Sequence, residues 1–195
     1  EVIDLLGREA GCEEEISQIT SQAMRGELDF ETSLRARVTL LKGLPISVFD
    51  TVFKSIHLSK NAQEFISILQ KKGILVGLVS GGFAPIVERL AESLGISYFS
   101  ANQLEVKDCF LTGKLVGEIV TDQVKQATLE IWRKELGLSK ERTIAIGDGA
   151  NDLLMLKSAG HGIAFCAKEV VKAEIACHVD TRDLLEVLPL IDFLE

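Results

Sequence analysis

A short apolar run followed by a turn rich in glycine and carboxylates decides the fold: Thr143-Ile144-Ala145-Ile146-Gly147-Asp148-Gly149-Ala150-Asn151-Asp152. Such a run, bounded by glycine, is typical of a strand that is buried on both faces of a parallel sheet. The polar residues that follow it are then expected at the carboxyl end of the strand. Ligands bind at that edge of open α/β sheets, so these residues are the first candidates for a functional site.

The same cycle of helix, glycine and apolar run recurs along most of the chain. An amphipathic helix ends at Gly73 before the apolar run Ile74 to Val79, and later helices end at Gly95, Gly137 and Gly160 before further runs. Strands and helices in alternation predict an α/β fold with a doubly wound parallel sheet.

Two segments depart from this alternation. The first 58 residues show helical periodicity only, which predicts a small helical bundle over residues 1–58 and an α/β core over residues 59–195. Two extended pieces between residues 104 and 120, on either side of the tetrapeptide Leu111-Thr112-Gly113-Lys114, predict a β-hairpin flap on that core.

Composition excludes several classes of function. The 195 residues carry a net charge of -8 and no basic stripe, which argues against a nucleic-acid-binding surface. No apolar run approaches the roughly 18 residues of a membrane span. The four cysteines form no Cys-x-x-Cys pair, so we expect reduced thiols and a cytoplasmic location.

Asp148 is the candidate metal ligand. A carboxylate at the end of a buried strand is well placed for Mg²⁺, which takes one or two carboxylates together with phosphate oxygens and water. Asp152 could orient such a ligand from behind. Helix capping is the alternative, since Asn151 is a good N-cap residue and Asp152 suits a first helical turn. Capping accounts neither for Asp148 nor for the glycines on both sides of it.

Two other places suit an anion. Ser80 and Gly81 follow the apolar run that ends at Val79, where a hydroxyl and consecutive N–H groups can bind phosphate oxygens. Lys125 lies early in a predicted helix, where the dipole disfavours a cation unless an anion is bound nearby. Ordinary turn chemistry and a solvated surface lysine are the alternatives.

The helical segment contains no motif that spacing alone makes functional. Read without a family, Met24 and Phe30 are core or groove residues, and Arg37 is a solvated or ion-paired helix residue. The three histidines form no ligand or catalytic motif. No Gly-x-Ser-x-Gly sequence occurs, so a serine hydrolase of that type is unsupported.

Taken together, several segments resemble the phosphoserine phosphatases of the haloacid dehalogenase-like superfamily. The most specific of them are Val79-Ser80-Gly81-Gly82-Phe83, Leu111-Thr112-Gly113, Gly147-Asp148-Gly149-Ala150-Asn151-Asp152 and Ile163-Ala164-Phe165-Cys166-Ala167-Lys168. The helical segment adds Glu1-Val2-Ile3-Asp4, Met24-Arg25-Gly26, Asp29-Phe30 and Ser33-Leu34-Arg35-Ala36-Arg37-Val38. The ion-pumping members of the superfamily are excluded because the chain has no membrane spans.

The resemblance implies a hydrolase of O-phospho-L-serine, with phosphoserine as its partner and Mg²⁺ as its cofactor. It assigns four residues to the phosphoryl group: Ser80, Gly81, Lys125 and Asn151. It assigns Asp148 to Mg²⁺, with Asp152 supporting it. It makes the helical segment a cap with four substrate-binding residues: Arg37 for the carboxylate, Glu1 for the ammonium, and Met24 and Phe30 as apolar walls. A homodimer is a further expectation.

One departure from the family pattern is large. Members begin with a strand ending in Asp-x-Asp-x-Thr, whose first Asp is the nucleophile and whose second is the general acid and base. No Asp-x-Asp occurs in this chain. We therefore expect a missing segment of about twenty residues or more upstream of Glu1, and an inactive chain without it. A phosphatase or phosphotransferase for another small phosphomonoester, and a non-catalytic ligand-binding protein, remain alternatives.

Overall fold

The computed structural model describes residues 1–191, which form two compact units. The first comprises residues 1–56 and 80–120, and the second comprises residues 57–79 and the chain from Thr121 onward. The chain therefore passes between the units at Ile56, at Val79 and at Val120.

Four helices open the first unit: α1 (Val2–Ala10), α2 (Glu13–Met24), α3 (Phe30–Thr39) and α4 (Val48–Lys54). Helix α3 begins at Asp29, whose carboxylate accepts the N–H of Thr32 at 2.9 Å and so satisfies a free donor of the first turn. Leu34, Val38 and Leu41 are buried on one side of this segment, at the spacing that predicts a helix packed against a core.

A β-hairpin in the first unit is joined to these helices through the backbone. It consists of β2 (Tyr98–Lys107) and β3 (Phe110–Val116), which pair antiparallel. The N–H of Leu111 donates to the carbonyl of Leu44 at 2.8 Å, and the N–H of Gly43 donates to the carbonyl of Leu111 at 2.8 Å. The hairpin over residues 104–120 thus belongs to the unit of the helices, whereas the sequence pattern assigned it to the α/β core.

Strand β1 (Gly77–Phe83) is hydrogen-bonded to β2, which completes the sheet β1-β2-β3. Helix α6 (Ala84–Ser93) follows it directly. The sequence pattern ended this strand at Val79, but the strand continues through Phe83. Ser80 and Gly81 consequently lie within the strand and not after it.

The second unit shows the predicted alternation of helices and parallel strands. Its elements are α5 (Ala62–Lys71), α7 (Asp122–Glu135), β4 (Ile144–Gly147), α8 (Leu153–Ser158), β5 (His161–Phe165), α9 (Glu169–Lys172) and β6 (His178–Val179). Strands β4, β5 and β6 pair in that order and in parallel. The predicted α/β class with a parallel sheet is confirmed, although the strands of residues 1–191 form two three-stranded sheets and not one.

Apolar side chains from these elements form the core of the second unit. Ala145 of β4 and Ala164 of β5 are buried together with Leu156 of α8 and Val171 of α9. Alanines in β4 and β5 allow the helices to approach the sheet closely. Among residues 1–191, no helix is both long and apolar enough to cross a membrane. All four cysteines are free thiols.

Asp183 fastens the start of α5 to the last helical turns of the described chain, Leu184–Leu190. Its carboxylate accepts from the side-chain amide of Asn61 at 2.8 and 2.9 Å and from Lys60 Nζ at 2.8 Å. It also accepts the N–H of Leu185 at 3.1 Å. The Lys60 ammonium and then the Asn61 amide lower the pKa of Asp183.

We expect this carboxylate to stabilise the fold in a pH-dependent manner. A lowered pKa means that the stabilisation is complete above the ordinary Asp value of about 3.9 and is lost as the pH falls through the lower folded value. The difference in unfolding free energy between the wild type and Asp183→Asn should therefore be largest above about pH 5 and should shrink below about pH 4. Urea unfolding across this range measures it.

Lys60→Met provides the control, because it removes the main cause of the lowered pKa. In that background, the pH-dependent part of the difference should be smaller and should be fully lost at a higher pH, because the folded pKa of Asp183 lies closer to its ordinary value. A difference between wild type and Asp183→Asn that does not change with pH would contradict the assignment.

Candidate active site at the end of strand β4

The turn that follows β4 is organised around the buried carboxylate of Asp152. Its Oδ2 accepts the N–H of Asp148 at 3.1 Å and the N–H of Gly149 at 3.0 Å. A Cβ at Gly147 would lie 2.6 Å from the Asp152 Cβ, and one at Gly149 would collide with the Asn151 side-chain oxygen. The buried Asp152 side chain therefore requires glycine at position 147, whereas a Cβ at position 149 would only displace the exposed Asn151 side chain.

The side chain of Lys125 occupies the other oxygen of Asp152. Lys125 lies in the first turns of α7 and is 6% exposed, and its Nζ is 2.7 Å from Asp152 Oδ1. An ammonium has three donors. Its other two donors have no hydrogen-bond partner within residues 1–191, so Lys125 keeps donors for a further acceptor.

Asp148 differs from Asp152 in being exposed. Its backbone is held at both ends, because its N–H donates to Asp152 and its carbonyl accepts the N–H of Lys168 at 3.0 Å. Its carboxylate forms no hydrogen bond or ion pair with any residue in 1–191. A rigid backbone thus presents a free carboxylate to the exterior of the turn.

The carboxylates of this turn fit a Mg²⁺ site to which the protein contributes few ligands. Asp148 is free to coordinate, whereas both oxygens of Asp152 are already occupied. No group of three or more His, Cys, Asp or Glu residues suited to a metal ion occurs in the described part of the chain. Mg²⁺ is commonly bound through one or two carboxylates with water and substrate phosphate, so Asp148 satisfies this requirement only in part.

Asn151 is exposed and does not cap a helix. The first residue of the short helical turn Ala150–Asp152 is preceded by Gly149, and Asp152 precedes α8. The alternative that Asn151 is an N-cap is therefore not observed. Asp152 does bind the N–H groups of the turn, so the capping interpretation holds for this residue.

In the first unit, the structure brings together two of the predicted site residues. The ring carbon Cζ of Phe30 lies 3.6 Å from the place that a Cβ on Gly81 would take. Ser80 is next to Gly81, and its Oγ accepts the N–H of Gly82 at 3.0 Å. Phe30 therefore covers the strand segment that the sequence associates with phosphate.

Arg37 is a buried cation without a carboxylate partner. It is 7% exposed and reaches only the carbonyl of Ser33 at 3.3 Å and the hydroxyl of Thr20 at 3.4 Å, with no ion pair to any of residues 1–191. Burial lowers the pKa of Arg37, and the charges of Glu1 and Asp4 oppose this shift. A buried guanidinium in this state is stabilised by any anion that reaches it.

The remaining two predicted residues are exposed. Glu1 directly precedes α1, and Met24 is the last residue of α2, with 79% of its surface exposed. The Oγ of Ser33 is buried one turn before Arg37 and has no hydrogen-bond partner.

Sequence reasoning missed Asn102, a fully buried residue of β2. Its amide donates to the carbonyl of Gly81 at 2.8 Å and accepts the N–H of Val120 at 2.8 Å. Asparagine is depleted in strands, so its position within an otherwise extended and partly apolar segment was the available signal.

Comparison with known proteins agrees with the fold. Residues 1–160 match the haloacid dehalogenase-like hydrolases. The chain belongs to this family. It is 54% identical to the phosphoserine phosphatase of Streptococcus thermophilus over 192 residues, which is 98% of this chain and 89% of that protein.

Two solved structures are also similar to this hydrolase. One is a phospho-aspartyl intermediate analogue of phosphoserine phosphatase, with a TM-score of 0.89 and 46% identity over 97% of this chain and 91% of the other. The second is a substrate-bound phosphoserine phosphatase complex, with a TM-score of 0.90 and 46% identity over 97% and 90%. The predicted resemblance to phosphoserine phosphatases is confirmed.

We expect the fold of this hydrolase to depend on the buried Lys125–Asp152 pair. Lys125→Met keeps a side chain of similar length but leaves the Asp152 carboxylate buried without its cation. Removing one partner of a buried pair costs about 3–5 kcal/mol. Denaturant unfolding should show a loss of that size.

The pair Lys157–Glu174 provides a matched control, because its nitrogen and oxygen lie 2.8 Å apart while both side chains are about half exposed. Lys157→Met should change the free energy of unfolding by about 1 kcal/mol or less. Equal losses in the two variants would show that burial of the Lys125–Asp152 pair is not what matters.

Proposed function

We propose that this hydrolase acts on O-phospho-L-serine and releases L-serine and phosphate through an aspartyl-phosphate intermediate, the last step of serine biosynthesis. One geometric observation carries the proposal: the turn after β4 presents the free carboxylate of Asp148 on a backbone braced by Asp152 and Lys125. The 54% identity to a phosphoserine phosphatase supplies the substrate.

We assign residues of both units to the phosphoryl group, each from its own surroundings. In the second unit, Lys125 keeps two free donors and Asn151 has an exposed amide. In the first unit, Ser80 accepts the N–H of Gly82, so its hydroxyl hydrogen is free to point elsewhere. The N–H of Gly81 adds a backbone donor without a side chain to obstruct a ligand.

Asp148 is proposed as a ligand of Mg²⁺. The bound ion would supply positive charge that stabilises the phosphoryl oxygens during transfer. Asp152 contributes by holding the N–H groups of Asp148 and Gly149, which fixes where the Asp148 carboxylate points.

The helices of the first unit are proposed to recognise the amino-acid part of the substrate. Arg37 is assigned to the carboxylate because it is buried and has no anionic partner of its own. A guanidinium can bind a carboxylate through two parallel hydrogen bonds. Glu1 is assigned to the ammonium, and Met24 and Phe30 are assigned to the apolar walls. The Phe30 ring lies beside Gly81, 3.6 Å from where a Cβ on that residue would be, and this supports its place there.

The nucleophile is proposed to lie in a segment upstream of Glu1. An aspartyl-phosphate requires a carboxylate that attacks phosphorus while the seryl oxygen leaves with a proton, and a water that then cleaves the acyl phosphate. The chain contains no Asp-x-Asp pair to supply the nucleophile and the acid. This chain covers 89% of the Streptococcus thermophilus relative, and β1 and β4 lie in separate sheets. Both facts are compatible with an additional strand.

The test compares residues 1–195 alone with the same chain extended by its upstream coding sequence. With Mg²⁺ and phosphoserine, we expect phosphate release from the extended protein only. Asp148→Asn in the extended protein should abolish turnover and leave the fold intact, because an amide is a poor ligand for a hard cation.

Three outcomes would change the proposal. Comparable activity of residues 1–195 alone would place the nucleophile within this chain. Near-native turnover of Asp148→Asn at saturating Mg²⁺ would remove Asp148 from the metal. An extended protein that binds phosphoserine without cleaving it would be a ligand-binding protein, and one that prefers another phosphomonoester would be a related phosphatase.

Substrate specificity is expected to depend on Arg37. In the active protein, Arg37→Ala should lower kcat/KM for phosphoserine by about tenfold for each 1.4 kcal/mol of lost binding. It should scarcely affect phosphoethanolamine, which keeps the ammonium and lacks the carboxylate. Steady-state kinetics with both substrates measures the difference.

Arg35→Ala is the matched control, because Arg35 is an exposed arginine of the same helix and pairs with Glu31 at 2.8 Å. Arg35→Ala should leave kcat/KM unchanged for both substrates. Equal losses on both substrates in Arg37→Ala would mean that Arg37 supports the helices structurally. The cytoplasmic location and the homodimer stay predictions.

A further inference from the structure

Asn102 is a buried polar residue of the first unit whose side-chain amide forms a hydrogen bond through both its nitrogen and its oxygen. It is 1% exposed and lies in β2. Its nitrogen donates to the carbonyl of Gly81 at 2.8 Å, and its oxygen accepts the N–H of Val120 at 2.8 Å. Neither partner is close to Asn102 in sequence, so one amide holds two distant segments of backbone.

The bond to Gly81 fixes one particular peptide group. The carbonyl of Gly81 and the N–H of Gly82 belong to the same planar peptide. Asn102 holds that peptide by its oxygen, and the hydroxyl oxygen of Ser80 holds it by its N–H at 3.0 Å. Because the two residues are glycines, no side chain would otherwise restrict the rotation of this peptide.

This arrangement determines what the Ser80 hydroxyl can do. Its oxygen already accepts a hydrogen bond from Gly82, so the hydroxyl proton is left to donate to another acceptor. If the peptide rotated, the N–H of Gly82 would leave Ser80 Oγ, and the hydroxyl would lose its fixed direction. The bond to Val120 matters here because it anchors the Asn102 amide, which would otherwise be free to turn as well.

We infer that Asn102 is a positioning residue for phosphate binding, and that it acts through the Gly81–Gly82 peptide on the hydroxyl of Ser80. The inference rests on the proposed function, since it concerns the same phosphoryl group. It assigns to Asn102 no contact with the substrate. Its effect should therefore be confined to the phosphate part of the ligand and should disappear when the Ser80 hydroxyl is absent.

The experiment uses the extended, active protein and the two products as competitive inhibitors. Inorganic phosphate reports on the phosphoryl site, and L-serine reports on the amino-acid site. Asn102→Asp keeps an acceptor for the N–H of Val120 but cannot donate to the carbonyl of Gly81. The inhibition constant of phosphate should rise about tenfold, as expected for one misdirected hydrogen bond, whereas that of L-serine should change less than about twofold.

A double-mutant cycle tests the route through Ser80. If Asn102 acts through the hydroxyl, Ser80→Ala combined with Asn102→Asp should weaken phosphate binding no more than Ser80→Ala alone. Asn102→Ser, which introduces no buried charge, replaces Asn102→Asp in both measurements if the aspartate variant does not fold. Asn61→Ala is the control, because it removes an amide that holds Asp183 and should alter neither inhibition constant.

Each outcome decides the inference. Weaker phosphate binding with unchanged L-serine binding and a non-additive cycle supports it. Equal changes for both products, no change for either, or additive effects in the cycle overturn it. If the wild-type protein does not hydrolyse phosphoserine, calorimetry measures the binding of inorganic phosphate directly. Weaker phosphate binding by Asn102→Asp would then support this inference although the proposed function had failed, and unchanged binding would overturn it.

Discussion

The buried carboxylate of Asp152 is the interaction on which the candidate site depends. A charge in this position is tolerated only when each of its oxygens is compensated. Lys125 compensates one oxygen, and the N–H groups of Asp148 and Gly149 compensate the other. These bonds set the path of the turn after β4, which leaves no space for a side chain at Gly147 and directs the Asp148 carboxylate outward.

Arg37 differs from Asp152 because its buried charge is not compensated by an oppositely charged partner within residues 1–191. Two long contacts to neutral oxygens do not compensate a guanidinium that is 7% exposed. Burial lowers the pKa of Arg37 for this reason. Lys125 and Arg37 are thus both buried cations, but of the two only Lys125 forms an ion pair with a residue in 1–191. The ion pair of Lys125 stabilises the fold, whereas the unpaired Arg37 favours the binding of an anion.

The sequence was sufficient to predict the features that arise from local periodicity. The buried face of α3, formed by Leu34 and Val38, follows from helical spacing, and the parallel strands β4 and β5 follow from apolar runs bounded by glycine. The position of Asp148 at a strand end follows from the same pattern. These features depend on residues that are close together in the chain.

Features that depend on distant backbone contacts could not be predicted in this way. The hairpin belongs with the helices because Leu44 and Leu111 exchange a hydrogen bond across 67 residues of sequence, and no residue type encodes that pairing. Strand β1 passes beyond Val79 into a segment whose Gly81 carbonyl accepts from Asn102, a residue 21 positions away in the sequence. Asn102 was missed for the same reason, since its two partners are backbone atoms, which carry no signature in the sequence.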